Sequence, residues 1–292
     1  MTPEARSALG IGVGGATQEA SRPIATPAVQ RLAIAVTLVI VGLMVRDLIE
    51  ALSRPDVMAV YGAKDYTYYI DITRRWLAGG PFYEPWQLDG PYQFTSGIPL
   101  PGHVNDGAYY PPVTLWLLVP FTFLPAALWW AIPLGIVAIA LWRLRPDPRV
   151  WPILALCLWW PQSSVPIFNG SPVMWGFAAL SLGVVWVGPA VFVLLKPSLF
   201  LFALWGVRRR RWWLFLALFG LLCLPFGAMW FDWVTVILNT QGSAVLSSMV
   251  QVPLMMFPII AWLARADRRS SGASAQPAEQ VDAVDGGQTA RH

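Results

Sequence analysis

Asp65 and Lys196 are the two side chains whose placement in this sequence most invites a chemical explanation. Asp65 follows the first long apolar run, in the string Lys64, Asp65, Tyr66, with Tyr68 and Tyr69 close behind. A carboxylate held there can take a proton from a hydroxyl, which is the task of a general base. Aspartate is also among the best helix N-caps, and capping keeps it ionised at the positive end of a helix, so the two roles are compatible. Lys196 stands deep in an apolar run and is followed by Pro197. An ammonium at the centre of a membrane helix costs roughly 2.5–3.5 kcal/mol on insertion scales, so it calls for an anionic partner such as a lipid phosphate or a loop carboxylate. Pro197 would loosen the local helix and free carbonyls for binding. A lysine snorkelling to an interface is the plainer alternative.

Two further constellations lie between these residues. His103, with Asn105 and Asp106, forms a polar cluster ahead of Tyr109, Tyr110, Pro111 and Pro112. His103 and Asp106 together could hold a divalent cation, and a solvated loop is the simpler reading. Arg74 and Arg75 sit at the end of the stretch that Asp65 opens, where they could pair with a phosphate or answer the negative end of a helix dipole. Cys157 and Cys223 fall inside apolar runs and read as small buried hydrophobes.

These side chains need elements to hold them. Residues 65–78 read as a short helix, capped by Asp65 and stopped by Gly79, Gly80 and Pro81. Tyr68, Tyr69, Ile72 and Trp76 share one face of it, which suits a helix lying along a membrane surface. The rest of the chain is read as membrane-embedded: 56% of its 292 residues are hydrophobic and only 12% are charged. Apolar runs occupy residues 32–45, 113–141, 150–160, 173–204, 212–230 and 249–263. A bilayer core of about 30 Å takes roughly 20 helical residues, so the two longest runs are each expected to hold two crossings, joined near Pro125 and Gly188. The expected fold is therefore an all-α integral membrane protein with about eight transmembrane helices. Barrel strands are excluded by the lack of alternation in these runs. Many of the 17 tryptophans crowd the run ends, as expected at a headgroup boundary.

The arginine run 208–211, together with Arg31, Arg265, Arg268 and Arg269, marks the cytoplasmic side. On that path residues 1–30 and 266–292 are disordered cytoplasmic tails, 31–265 form the membrane domain, and 46–112 form a large extracytoplasmic loop with a juxtamembrane helix. Arg143, Arg145 and Arg149 then fall outside, against the same rule. The net charge of +4 comes from basic clusters at run ends, which favours membrane lipids and no nucleic acid as partners. A transporter is disfavoured by the lack of paired halves and the single ionisable residue deep in the runs.

Five local features occur in order along residues 32–213. The first span leads to Asp65, Tyr68 and Tyr69; next comes Leu77, Ala78, Gly79, Gly80, Pro81, Phe82, Tyr83; and Tyr109, Tyr110, Pro111, Pro112 open the second span. Pro120 with Leu124 and Pro125 follows, and Leu195, Lys196, Pro197 run on toward the four arginines. In this order they resemble the glycosyltransferase-C superfamily, especially the family 87 enzymes that use polyprenyl-phosphate mannose as donor. The resemblance implies a cell-membrane transferase that moves a hexose, mannose above all, from a polyprenyl phosphate to an extracytoplasmic glycan or glycolipid acceptor. Asp65 matches the catalytic aspartate, taking the proton from the acceptor hydroxyl as the anomeric centre inverts. Lys196, Arg74 or Arg75 would meet the departing phosphate, with Tyr68, Tyr69, His103 and Tyr110 completing the donor site. Family members usually have more spans, and carry a polar motif where this chain has Phe168, Asn169, Gly170, Ser171. A second class is therefore a non-catalytic membrane subunit or lipid-binding scaffold, which would hold the carrier without transferring the sugar.

Overall fold

The structure, a computed structural model, describes residues 27–55, 62–93, 107–241 and 250–265. Apart from one parallel pair of two-residue strands, β1 (Tyr92–Gln93) and β2 (Thr240–Gln241), these residues fold into helices and turns. The chain runs through α1 (Pro27–Ser53), α2 (Lys64–Leu77), α3 (Leu115–Phe121), α4 (Ala127–Leu144), α5 (Trp151–Trp159), α6 (Pro161–Phe168) and α7 (Val173–Trp186). A 3-10 segment, Gly188–Leu195, then leads to Lys196, and a return segment of short helices and turns leads to α8 (Arg210–Cys223), α9 (Met229–Asn239) and α10 (Val252–Leu263). Helices α1 and α4 are long and apolar enough to cross a bilayer. The bent pairs α6/α7, at 111°, and α8/α9, at 95°, raise the number to four if each is one broken span. The remaining apolar helices are shorter than a bilayer crossing requires, so full-length spans among the described residues number two to four against the eight expected.

Each break has a local cause. Helix α3 is seven residues long, with Pro120 in its last turn, and the chain reverses through Thr122–Ala126. Phe121 comes back against Trp129 and Trp175, with ring centroids 4.9 and 5.4 Å apart. Helix α3 therefore stays at the end of the molecule where α4 begins, and the run 113–141 contains one long helix instead of two. Helix α4 stops at Arg145, which takes a left-handed φ of 49° ahead of Pro146. Helix α7 stops at Val187, whose φ of 70° is costly for a β-branched residue. The turns expected near Pro125 and Gly188 are thus both present.

Two ends can be told apart by following the contacts. Trp129 and Trp130 at the head of α4 donate their indole N–H groups to the carbonyls of Gly170 and Ile167, each at 2.8 Å. That places the start of α4 beside the turn between α6 and α7. At the far end of both helices, Arg143 lies 5.9 Å from the Trp186 ring centroid. There Pro146 bridges to Arg265, and the Asp147 N–H donates to the Ala264 carbonyl at 2.9 Å. Trp205 packs on Trp262 at 4.9 Å, and Gly206 lies so close to Val187 that a Cβ would stand 2.3 Å from its Cγ1. The arginine run 208–211 follows directly from this contact.

Arg143, Arg145 and Arg149 therefore share an end with Arg265 and the 208–211 run, which corrects the path that set them on opposite sides. The reason is α3: because it turns back instead of crossing, the segments from α4 to Lys196 run in the opposite direction to the one counted from apolar runs, and the short hairpin at Lys196 restores the expected sense for α8 and α10. Helix α1 packs on α5 and the preceding turn Pro148–Val150. Its packed stripe runs from Ala33 to Asp47, and Asp47 accepts the Trp159 indole N–H at 2.9 Å, so α1 and α5 are parallel. Arg31 accordingly also lies toward the arginine end.

The 3-10 segment Gly188–Leu195 packs antiparallel on α7 and carries the chain back from the arginine end. A Cβ on Gly183 would stand 2.6 Å from Ala190 Cβ and 2.7 Å from its backbone N. Gly183→Ala is expected to force the two segments apart at a cost of about 1–3 kcal/mol. The check is a thermal melt of the purified chain, in which Gly135→Ala, with open space around the glycine, should leave the midpoint near wild type.

Candidate functional site

The site begins with the way α2 is started. Ala63 occupies the N-cap position with a left-handed φ of 56° and no side-chain cap. The Tyr66 N–H donates to the Asn169 carbonyl at 3.1 Å, and the Ala63 N–H to the Phe168 carbonyl at 3.4 Å. Backbone carbonyls of the α6–α7 turn thus satisfy the helix start, which corrects the expectation that Asp65 caps it. Asp65 is the second residue of the helix. Gly170 makes the close approach: with φ at 71°, a Cβ there would lie 2.7 Å from the Trp130 ring and 2.8 Å from Tyr66 Cβ. The Tyr66 ring fills the corner between Trp129 and Trp130 at 5.6 and 5.2 Å.

One turn further on, Tyr69 and Ile72 are buried and Tyr68 and Trp76 half-buried. This face packs on α3 and the protein interior, not on a lipid surface. Tyr69 meets Tyr68 at 5.4 Å and Tyr110 edge-on at 5.2 Å. The Tyr110 hydroxyl shares a hydrogen bond with Ser171 Oγ at 3.2 Å. Lys196 Nζ lies 5.9 Å from the Tyr110 ring centroid and donates to Gln251 Oε1 at 2.7 Å. The charge of Asp65 acts on Tyr69, Tyr110 and Lys196 alike, which puts all four in one neighbourhood. Burial pushes the Tyr110 phenol up, with Asp65 adding to the rise and the Ser171 bond opposing it. Burial likewise raises the Tyr69 phenol, helped by Tyr110 and Asp65. Both phenols are therefore neutral at physiological pH.

Next to this cluster runs an apolar cavity of about 340 Å³, lined by aliphatic and aromatic side chains. Val113 and Trp116 line it beside Tyr110, Leu195 borders it one residue before Lys196, and Ala179, Phe192 and Phe215 extend it toward the arginine end. From Leu195 back to Pro189 the wall is 3-10 helix, which at about 2 Å per residue gives a depth of about 12 Å. Thr114 Oγ1, Asn169 Oδ1 and Trp175 Nε1 are buried without a hydrogen-bond partner, all in the segments that carry Tyr110 and Ser171.

Asp65, Tyr68, Tyr69, Tyr110 and Lys196 are thus brought together, and the other expected members are not. Arg74 pairs with Asp71 at 3.3 Å on the exposed face of α2. Arg75 is held by Glu84 and by the Pro81 carbonyl. His103 and Asp106 lie outside the described residues, and among those described no group of three or more His, Cys, Asp or Glu side chains gathers as a metal site would. Gln251 was not anticipated. Its only signal is its position as the polar residue at the head of the last apolar run, before Pro253. No protein-family model, no curated protein and no solved structure matches this chain.

Proposed function

We propose that the chain is a membrane glycosyltransferase that moves a hexose, most suitably mannose, from a polyprenyl phosphate to a hydroxyl of an extracytoplasmic glycan or glycolipid. The observation that carries this reading is a largely apolar cavity whose wall runs through Leu195, the residue before Lys196, and through Val113 in the Tyr110 segment, with the charge of Asp65 acting on Lys196 beside it. A lipid-linked sugar phosphate has the matching parts in the same order: a hydrocarbon tail, an anion and a sugar. The tail lies along Val113, Ala179 and Phe192, and the phosphate meets Lys196. Asp65 removes the proton from the acceptor hydroxyl as its oxygen bonds to the anomeric carbon. The anomeric C–O bond to phosphate breaks, and the electron pair leaves with the polyprenyl phosphate, whose charge Lys196 balances. Attack opposite the leaving group inverts the anomeric centre.

In the same reading the chain makes about eight passes between the two ends, two of them being the short hairpin whose tip is Lys196. The described residues then begin near Arg31 and end at Arg265 at the arginine end, on the cytoplasmic side, and the Asp65 cluster faces outward.

The test is transfer of labelled mannose from polyprenyl-phosphate mannose by the purified chain in proteoliposomes supplied with glycan acceptors. Label in the acceptor supports the reading. Retention of the carrier with no transfer under any acceptor would move it to a lipid-binding scaffold. The cavity supplies its own check: Ala179→Phe fills the space between α7 and the 3-10 segment. It should weaken binding of a long-chain donor about tenfold or more, while a short-chain analogue binds as before.

A further inference from the structure

The end of the molecule opposite Asp65 gathers positive charge from four separate segments. Arg143 and Arg145 come from the end of α4, residues 208–211 from the start of α8, and Arg265 from just beyond α10, all linked by the contacts traced above. Among the described residues no carboxylate lies within ion-pair distance of Arg143, Arg145 or the 208–211 run, whereas Arg149 is neutralised by Asp147 at 2.7 Å. These arginines are exposed, with Arg265 half-buried. The run 208–211 spans the start of α8, which has no side-chain cap and no acidic residue in its first turn, so the dipole adds to its positive potential. Like charges concentrated this way are destabilising unless an external anion balances them.

Tryptophans define where that anion belongs. Arg143 stacks on Trp142 at 5.4 Å, and Arg265 on Trp262 at 4.0 Å. Trp142, Trp186 and Trp213 expose their rings around the same charges. A ring of exposed indoles interleaved with guanidinium groups matches the layered chemistry of a bilayer boundary, with hydrocarbon below and phosphate above. At the aspartate end, by contrast, the arginines Arg46, Arg74 and Arg75 are each paired with a carboxylate, and Lys196 donates to Gln251.

The geometry points to this end being a docking surface for anionic lipid headgroups, with Arg143, Arg145 and the 208–211 run binding lipid phosphates that hold the four segments together. It goes beyond the glycosyltransferase reading and stands or falls separately from it. The test is the thermal midpoint of the full chain in nanodiscs of dioleoyl-phosphatidylglycerol against dioleoyl-phosphatidylcholine. A rise of about 3–5 °C in the anionic lipid is expected for wild type. The triple variant Arg209→Gln, Arg210→Gln, Arg211→Gln should lose at least about half of that rise, as should the pair Arg143→Gln, Arg145→Gln, while Arg46→Gln keeps it. Should the triple variant fail to fold, the pair decides. Equal midpoints in the two lipids, an undiminished rise in the arginine variants, or the same rise from inorganic phosphate added to phosphatidylcholine nanodiscs would each overturn the assignment.

Discussion

Asp65→Asn is expected to lower the rate of sugar transfer by about 10²–10⁴-fold, the range that a positioned general base contributes. The change is nearly isosteric, and Asp65 is not the cap of α2, so the helix start held by the carbonyls of Phe168 and Asn169 should survive it. The expected signature is a fall in kcat with donor KM nearly unchanged, since the proposed mechanism assigns the phosphate to Lys196 and the tail to the cavity. Measuring transfer at saturating donor, alongside a thermal melt, separates loss of the base from loss of the fold. A large drop in thermal midpoint would instead make Asp65 a structural residue.

Lys196→Met is expected to act in the opposite way on binding and on stability. The ammonium has a neutral hydrogen-bond acceptor, Gln251, and an aromatic face, Tyr110, as close neighbours. Replacing a partly buried charge in such a place by an apolar side chain of similar length is commonly neutral or stabilising for the fold. Removing the cation from a bound phosphate is costly, so affinity for the polyprenyl phosphate should fall about 10²-fold. Retention of labelled carrier and the melting midpoint, measured on the same preparation, give the two numbers. A lower midpoint with carrier binding intact would show that the lysine serves the fold.

How much of this was readable without coordinates depends on the kind of signal. Asp65 with Tyr69, Tyr110 and Lys196 stand on three separate stretches of the sequence, and only the resemblance in their order suggests grouping them. The breaks near Pro125 and Gly188 followed from run length and proline placement. Direction did not follow. Apolar length shows that a segment prefers lipid, but seven residues of α3 between Pro112 and the turn after Pro120 cannot cross, and one such reversal flips the sense of the segments from α4 to Lys196. The clash of Arg143, Arg145 and Arg149 with the positive-inside rule was the trace that error left in the sequence. Arg74 could have been set aside earlier: nine residues beyond Asp65, it lies about 180° around the helix. The cap assigned to Asp65 failed because the competing carbonyls come from a turn a hundred residues away, and Gln251 was hidden for the same reason.

The most direct measurement pairs donor retention with mannose transfer in proteoliposomes of wild type, Asp65→Asn and Lys196→Met. The expected result is that Asp65→Asn holds the labelled polyprenyl-phosphate mannose as well as wild type yet transfers at least about a hundredfold less, while Lys196→Met loses the carrier itself. Transfer by Asp65→Asn at the wild-type rate would contradict the assignment of Asp65 as the base and of this cluster as the site.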